Sequence, residues 1–328
     1  MKEEEIRKRS AFNRYLELIA EDVRTIFADS GSFVKIDCPA CGSKKYRSQF
    51  EKTGFTLALC QECGTLFVNP RPPGRLLNDF YTRSRSASFF VHDFFKPVAE
   101  ARREKIFRPR AEYIRDTLPE KSKGIIGDIG AGFGLFLEEL RKLWPSAKMV
   151  AIEPSAEEVE ICKEKGLETI PCALDDVEGW DGKFDLLTSF ELFEHLHSPD
   201  EFLKKIWKLL RPGGHLFLTT QNGEGFDIQI LWEKSKSISP PVHLNFFNPG
   251  SIKRLLEANK FIVETVDTPG KLDWDIVEGM YRQEGVDPGR LWRLVADKAG
   301  PDAKSSLQTW ITENNLSSHM RILARKGK

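Results

Sequence analysis

The chain has 328 residues, about twice a typical domain length, which predicts one full-sized domain with a smaller appendage. Apolar residues make up 40% and aromatic residues 11%, so a sizeable core can form. Lys and Arg together number 49, as do Asp and Glu, so the formal charge is zero. No pervasive positive field attracts nucleic acid or an anionic membrane, and we expect neither as a partner.

The N-terminus and the cysteines bear on location. The chain begins with the charged stretch MKEEEIRKRS, and no apolar run approaches the roughly 18 residues that span a bilayer, so we expect no signal peptide or membrane segment. Four of the six cysteines form two Cys-x-x-Cys pairs, which suits metal ligation in a reducing compartment better than a disulfide framework. These features predict a cytoplasmic protein.

Three segments are predicted ahead of the main domain. Residues 1–30 have apolar positions at helical spacing and predict an amphipathic helix. Residues 31–70 hold the cysteine pairs among short β-prone pieces. The break Asn69-Pro70-Arg71-Pro72-Pro73-Gly74 then leads into residues 71–120, whose mostly helical pattern predicts a helical connection or lid.

The cysteine pairs predict a metal site. Cys38-Pro39-Ala40-Cys41 and Cys60-Gln61-Glu62-Cys63 are separated by 18 residues, a spacing typical of four-thiolate zinc sites. Gly42 and Gly64 follow the pairs and let the chain turn without a Cβ clash. Four sulfur ligands favour tetrahedral zinc with no open position, so the ion is expected to be structural; free thiols or a redox pair are the alternative. The predicted Zn²⁺ ligands are Cys38, Cys41, Cys60 and Cys63.

Residues 121–328 alternate between predicted strands and helices, with a helical insertion at about 272–317. The predicted strands are 124–129, 148–153, 167–170, 184–189, 215–220, 261–266 and 320–325. Such alternation predicts an α/β fold in which helices cover both faces of a doubly wound, mostly parallel sheet.

The first strand runs into a glycine-rich turn, Gly127-Asp128-Ile129-Gly130-Ala131-Gly132-Phe133-Gly134, which opens a helix. Such a turn lets the backbone approach a ligand closely. Glu153 follows the second strand, where a carboxylate can accept hydrogen bonds from both hydroxyls of a ribose. A dinucleotide-binding turn is the competing interpretation, but it needs a small residue at Leu135. Asp128 would also repel a pyrophosphate, whereas it suits the ammonium group of a methionine moiety.

This turn resembles the first motif of class I S-adenosylmethionine (SAM)-dependent methyltransferases. Thr188–Leu196 and Arg211-Pro212-Gly213-Gly214 are similar to the family's segments around strands four and five. The resemblance implies a Rossmann-like, seven-stranded sheet whose last strand is antiparallel, and a site for SAM and its product S-adenosylhomocysteine (SAH). The implied cofactor-binding residues are Asp128, Gly130, Ala131, Gly132, Gly134, Glu153, Pro154, Ala173, Leu174, Asp175, Ser189 and Phe190.

A zinc-ribbon-like segment ahead of such a domain looks like bacterial sugar C-methyltransferases. It also looks like shorter zinc-ribbon methyltransferases associated with surface polysaccharide and secondary metabolism. Three motifs of this chain match the N-terminal part of that shorter group: Cys-x-x-Cys-Gly, Asn69–Pro72 and Phe80–Ser84. The resemblance implies a small-molecule or sugar-like acceptor and leaves the oligomeric state open.

His243 is the first candidate for a catalytic base, because it follows strand five and a histidine with a free pKa of about 6.5 can accept a proton near neutral pH. In the similar sugar C-methyltransferases a Glu precedes the catalytic His, whereas Val242 stands here. This departure favours O-methylation. His243 could instead only order its loop, and His195 and Glu191 are the next catalytic candidates.

Two other functions compete with this one. An RNA or protein methyltransferase could grip its substrate through the ribbon and the arginines at 102, 103, 108 and 110, although acidic residues are equally frequent around them. A catalytically silent fold could keep the ribbon as an interaction module, although such a protein has no physical need of the glycine turn and Glu153.

Overall fold

The computed structural model describes residues 2–327. Its α-helices are α1 Glu3–Ile6, α2 Arg9–Ile26, α3 Gly74–Arg83, α4 Arg85–Phe89, α5 Ala99–Arg102, α6 Arg108–Thr117, α7 Leu135–Leu143, α8 Ala156–Glu164, α9 Pro199–Leu209, α10 Phe226–Leu231, α11 Pro249–Ala258, α12 Asp273–Glu284, α13 Arg290–Lys298 and α14 Pro301–Glu313. Its strands are β1 Tyr46–Lys52, β2 Phe55–Cys60, β3 Leu66–Val68, β4 Ile125–Ile129, β5 Lys148–Ile152, β6 Glu168–Ile170, β7 Phe184–Phe190, β8 Leu210–Gln221, β9 Asn245–Phe246, β10 Phe261–Asp267 and β11 His319–Lys326. Among these described helices, none is long and apolar enough to cross a membrane.

The chain divides into two compact units that alternate along the sequence. The first unit comprises the described residues of Met1–Ala99, Gln221–Ile252 and Asp267–Met320. The second unit comprises Glu100–Thr220, Lys253–Val266 and the described residues of Arg321–Lys328. The segment boundaries drawn from the sequence stay predictions.

A seven-stranded sheet with the order β10-β11-β8-β7-β4-β5-β6 forms the framework of the second unit. Strand β4 lies between β5 and β7 and pairs with both in parallel, and β5–β6 and β7–β8 are parallel as well. The doubly wound, mostly parallel fold predicted from the sequence is therefore confirmed. Because parallel strands end at the same edge of a sheet, the residues that follow β4, β5 and β7 are brought together.

Strand β8 is longer than expected. Its ladder with β7 pairs Phe184 with Leu210, shifts register, and continues from Leu186 with His215. The Arg211–Gly214 turn is thereby included in the strand, because the residues on both sides of it pair with β7.

Apolar side chains of the sheet and its flanking helices form the core of the second unit. Ile126 of β4, Leu186 of β7 and Leu137 of α7 are fully buried in one cluster, which also includes residues of α6. This packing makes the strand ends a rigid base for the loops that follow them.

The first unit contains a four-stranded sheet with the order β1-β2-β3-β9. The strands β1, β2 and β3 are consecutive and antiparallel, but β9 comes from a distant part of the sequence and pairs with β3 through Leu66↔Phe246 and Phe67↔Asn245. Ile19 and Val23 of α2 pack in the same core as this sheet.

The leading helix is broken near its start. Arg7 is extended between α1 and α2, where one continuous helix was expected. The Glu4 carboxylate accepts a hydrogen bond from the Arg9 N–H (3.1 Å) and so satisfies a donor at the start of α2.

Candidate functional site

The glycine turn lies between β4 and α7. Gly130, Gly132 and Gly134 have φ values of +70°, +53° and +69°, a region that favours glycine. At Gly134 a Cβ atom would also lie 2.6 Å from Cδ1 of Leu167. The positive φ values allow the tight turn, and the missing Cβ of Gly134 lets the turn pack closely against Leu167.

Glu153 is buried immediately after β5, with 5% of its surface exposed. One carboxylate oxygen accepts a hydrogen bond from the Gly132 N–H (2.9 Å), and the other accepts one from the Ser155 N–H (3.0 Å). The carboxylate is thus fixed beside the glycine turn, and each oxygen keeps lone pairs for further donors.

Asp128 is the most strongly perturbed acid of this site. It is 2% exposed, and the Thr188 hydroxyl donates a hydrogen bond of 2.6 Å to its carboxylate. Burial raises the pKa of Asp128 to about 7, although the Thr188 hydrogen bond and the charge of Arg110 oppose the shift. A cationic ligand beside Asp128 would stabilise the ionised carboxylate.

Arg110 of α6 brings a positive charge to the same edge. Its Nη2 donates to the Glu191 carboxylate (2.6 Å), and its guanidinium carbon lies 4.8 Å from the ring centre of Phe190. Its Nη1 is buried without a hydrogen-bond partner among the described residues. Since a buried guanidinium N–H without an acceptor is costly, this group is suited to an anionic ligand. From the sequence, Arg110 was a candidate only for gripping RNA or a protein substrate; its place on the helix that precedes β4 was the available signal.

Glu191 has a strained backbone, with a φ of +51° at the end of β7. Besides Arg110, the Thr219 hydroxyl donates to its carboxylate (2.7 Å). Both contacts stabilise the ionised carboxylate and hold it in one position, which suits a positioning role better than proton transfer.

The other predicted cofactor residues have mixed environments. The Ser189 hydroxyl is buried without a partner among the described residues, so it can bond to a ligand. Phe190 packs edge-on against Phe136 with ring centres 4.6 Å apart. Leu174, which follows β6, is buried. Apart from the glycines, the remaining predicted cofactor residues are half-buried or exposed: Ala131, Pro154, Ala173 and Asp175.

His195 is half-buried in a short 3₁₀ turn, Phe193–His195. Its neighbour Glu194 is 1% exposed, and the Thr220 hydroxyl donates to its carboxylate (2.8 Å). Glu194 therefore anchors the turn to β8, which fixes the backbone of His195.

His243 belongs to the first unit and lies in a loop with several internal hydrogen bonds. Its Nδ1 is 2.8 Å from the Ser237 carbonyl oxygen and 3.2 Å from Nε2 of Gln221. A proton on Nδ1 would be donated to the Ser237 carbonyl oxygen, which can only accept, and in that tautomer the neutral ring has its lone pair on Nε2. The Ser237 hydroxyl in turn donates to buried Asp227 (2.6 Å), which anchors this part of the loop.

The four predicted zinc ligands are brought together in the first unit. The Cys38 and Cys63 sulfurs are 3.5 Å apart, those of Cys41 and Cys60 are 3.6 Å apart, and all four lie within 4.8 Å of one another. A tetrahedral site with Zn–S bonds of about 2.3 Å has sulfur–sulfur edges of about 3.8 Å. The cluster therefore fits a four-thiolate zinc ion.

The two halves of this cluster have the same hydrogen-bond pattern. In the first half, the Gly42 N–H donates to the Cys38 carbonyl, and the Cys38 N–H donates to the Ser43 carbonyl. In the second half, Gly64, Cys60 and Thr65 repeat these two bonds. The glycines have φ values of +69° and +71°, so each half forms a tight knuckle around its pair of thiols.

The parallel sheet, its glycine turn and the acidic residue after the second strand define a Rossmann-like methyltransferase fold. The chain belongs to the methyltransferase domain family, whose model matches residues 98–266. This match confirms the prediction of a SAM-dependent methyltransferase domain.

Curated relatives include two mitochondrial ubiquinone biosynthesis O-methyltransferases. The chain is 29% identical to the one from Rattus norvegicus over 194 residues, which cover 48% of this chain and 52% of the relative. It is 31% identical to the one from Homo sapiens over 183 residues, which cover 48% and 49%. The chain thus spans about half the length of the curated relatives that it matches.

A solved structure with a similar fold is phosphoethanolamine N-methyltransferase 2 from Haemonchus contortus in complex with SAM. The TM-score is 0.52 at 17% identity, and the match covers 80% of this chain and 63% of that one. At this identity the similarity shows the fold alone.

Proposed function

We propose that the chain methylates a hydroxyl group of a small acceptor, with a sugar-like hydroxyl as the first choice and His243 as the base. The observation that carries the proposal is the contact between Nδ1 of His243 and the Ser237 carbonyl oxygen at 2.8 Å. This contact directs the lone pair of the neutral imidazole to Nε2, where it can take a hydroxyl proton. The O-methyltransferase relatives support transfer to oxygen.

The second unit offers complementary groups for each end of SAM. Glu153 would accept hydrogen bonds from the ribose hydroxyls, and Asp128 would bind the ammonium group. The unsatisfied Nη1 of Arg110 would bind the carboxylate of the methionine moiety. SAM, when bound, supplies an electrophilic methyl group. The chain aligns its acceptor, excludes water and removes the hydroxyl proton.

The arginines around residue 103 argue against a nucleic-acid acceptor. Arg103 is paired with Glu138 (2.8 Å) and Glu139 (3.3 Å), and Arg108 is paired with Glu139 (3.0 Å). Because acidic residues of the same unit neutralise these cations, they supply little attraction for phosphate groups.

An acceptor screen with methyl-labelled SAM tests the proposed reaction. Nucleotide sugars, polysaccharide fragments, phenols and RNA are compared side by side with the full chain. We expect label transfer to the oxygen of a sugar-like hydroxyl, identified by mass spectrometry and NMR of the product. Label transfer to carbon in a nucleotide sugar, or to RNA alone, would contradict the proposal, and SAH binding without transfer to any acceptor would favour the silent-fold alternative.

We also propose that the cysteine cluster holds one structural zinc ion. Native mass spectrometry and metal analysis of the purified chain should give about one zinc per chain. Cys60→Ser should reduce the zinc content sharply, because the ion loses one of four thiolate ligands. Cys172→Ser is the matched control, since Cys172 lies outside the cluster and should leave the zinc content unchanged. Full zinc loading of Cys60→Ser would contradict the proposal.

The location of the protein is a separate proposal. These thiolates suit a reducing compartment, and we propose a cytoplasmic location.

A further inference from the structure

We propose that the cysteine cluster positions His243, and that Asn248 is the positioning residue that connects them. The inference rests on the proposed roles of zinc and His243. It assigns to the metal a second function: besides joining the two cysteine pairs, the metal fixes the position of the base that acts on the methyl acceptor.

The first observation is that the strand after His243 belongs to the cysteine-bearing sheet. Strand β9 begins two residues after His243 and pairs with β3, which begins three residues after Cys63. The Val68 N–H also donates to the Leu244 carbonyl (2.9 Å). Leu244 and Phe246 are fully buried, so this part of the chain has little freedom to shift while the sheet is intact.

The second observation is a direct hydrogen bond from this segment to a cysteine residue. The side-chain Nδ2 of Asn248 donates to the Cys63 carbonyl oxygen (2.8 Å). Its Oδ1 accepts a hydrogen bond from the Ser251 N–H (2.7 Å), so one side chain serves the second knuckle and the start of α11. Asn248 is 5% exposed, and loss of the donor contact would leave the Cys63 carbonyl without this partner.

The second knuckle is shaped to admit this contact. A Cβ atom at Gly64 would lie 2.9 Å from Nδ2 of Asn248, closer than real Cβ contacts. Gly64 therefore serves the turn around the metal and the close approach of Asn248.

A buried cation supplies a third connection. Arg71 is 1% exposed, and its Nη2 donates to the side chain of Asn245 in β9 (2.7 Å). The Arg71 backbone N–H also donates to the Val34 carbonyl (2.8 Å), so Arg71 connects β9 to the segment that leads into the first cysteine pair.

These contacts place His243 between two anchors. On one side, Ser237 and Asp227 hold the loop, and on the other side β9 and Asn248 attach it to the cysteine cluster. If the second anchor relaxes, the imidazole should move away from the Ser237 carbonyl. A displacement of about 1 Å can cost roughly a hundredfold in rate.

The test uses the full chain with ¹⁵N-labelled histidine and the variant Asn248→Asp. This change keeps the acceptor for the Ser251 N–H and replaces the donor to Cys63 with a carboxylate oxygen, which repels the Cys63 carbonyl. The control is Asn259→Asp, because Asn259 is also buried and its Nδ2 also donates to a backbone carbonyl, that of Leu255 (3.1 Å). Its Nδ2 donates to the Asp200 carboxylate as well (2.8 Å), so the control change is at least as disruptive locally. The His243 signals are assigned by comparison with His243→Gln.

In zinc-loaded Asn248→Asp we expect the His243 ring nitrogens to lose the Nδ1–H pattern of the wild type. Turnover should fall about tenfold or more, while SAH affinity stays within about twofold. Removal of zinc from the wild-type chain by a chelator should change the same signals. An unchanged His243 pattern in both zinc-loaded Asn248→Asp and the zinc-free chain would overturn the inference, as would an equal effect in Asn259→Asp.

The outcomes also separate this inference from the proposals beneath it. If His243→Gln keeps its turnover, the role of His243 as a base fails, but the ring-nitrogen signals still report whether the cluster positions it. If the zinc-free chain unfolds, the test rests on zinc-loaded Asn248→Asp by itself. Unchanged ring-nitrogen signals of His243 in that variant would then overturn the inference.

Discussion

Replacement of Glu153 by alanine should weaken SAH binding about a hundredfold or more. Two hydrogen bonds from ribose hydroxyls to a carboxylate are each worth about 1.5–3 kcal/mol, and both are lost. The change also removes the acceptors for the Gly132 and Ser155 N–H groups, which loosens the glycine turn. Isothermal titration calorimetry with SAH measures the effect, and thermal unfolding checks that the chain still folds.

A second ligand separates the two ends of the proposed site. 5′-Methylthioadenosine has the ribose of SAH but lacks its ammonium and carboxylate groups. Glu153→Ala should weaken both ligands, whereas Arg110→Met should weaken SAH by roughly 10–100-fold and leave 5′-methylthioadenosine nearly unchanged. Unaltered SAH affinity in Glu153→Ala would remove the ribose assignment, and equal losses for both ligands in Arg110→Met would remove the carboxylate assignment.

Replacement of His243 by glutamine should lower kcat by about 100–10,000-fold, the usual contribution of a positioned general base. SAH affinity should be unchanged, because Asp128, Glu153 and Arg110 are intact. The measurement is single-turnover methyl transfer to the acceptor found in the screen, together with SAH calorimetry on the same preparation.

His197→Gln is a suitable control for this change, since His197 is exposed and should tolerate it. If His243→Gln retains wild-type turnover, His243 only orders its loop, and the nearby hydrogen bonds of Ser237 and Asp227 are structural. A loss of turnover with an equal loss of SAH binding would also contradict the base, because a base for the acceptor should not affect the cofactor.

The local patterns of the sequence determined the framework and much of the candidate site. The turn from Gly130 to Gly134 and the acid after the second strand are signals within about thirty residues, and the backbone conformation that they require leaves few alternatives. The two cysteine pairs were equally direct, because the ligand type and the short spacing decide how the thiols converge. Alternating strands and helices predicted the parallel sheet because hydrophobic periodicity is a local property of each element.

Only the tertiary structure decided which distant residues complete these sites. Strand β9 has two residues, too few for a periodic signal, and its pairing with β3 depends on a sheet formed far earlier in the chain. The unsatisfied Nη1 of Arg110 and the raised pKa of Asp128 follow from burial, which no local pattern specifies. The contact between Nδ1 of His243 and the Ser237 carbonyl oxygen, on which the proposed tautomer depends, is a loop contact set by packing. Backbone conformation is decided over a few neighbouring residues, whereas desolvation and long-range hydrogen bonds exist only once the chain has folded.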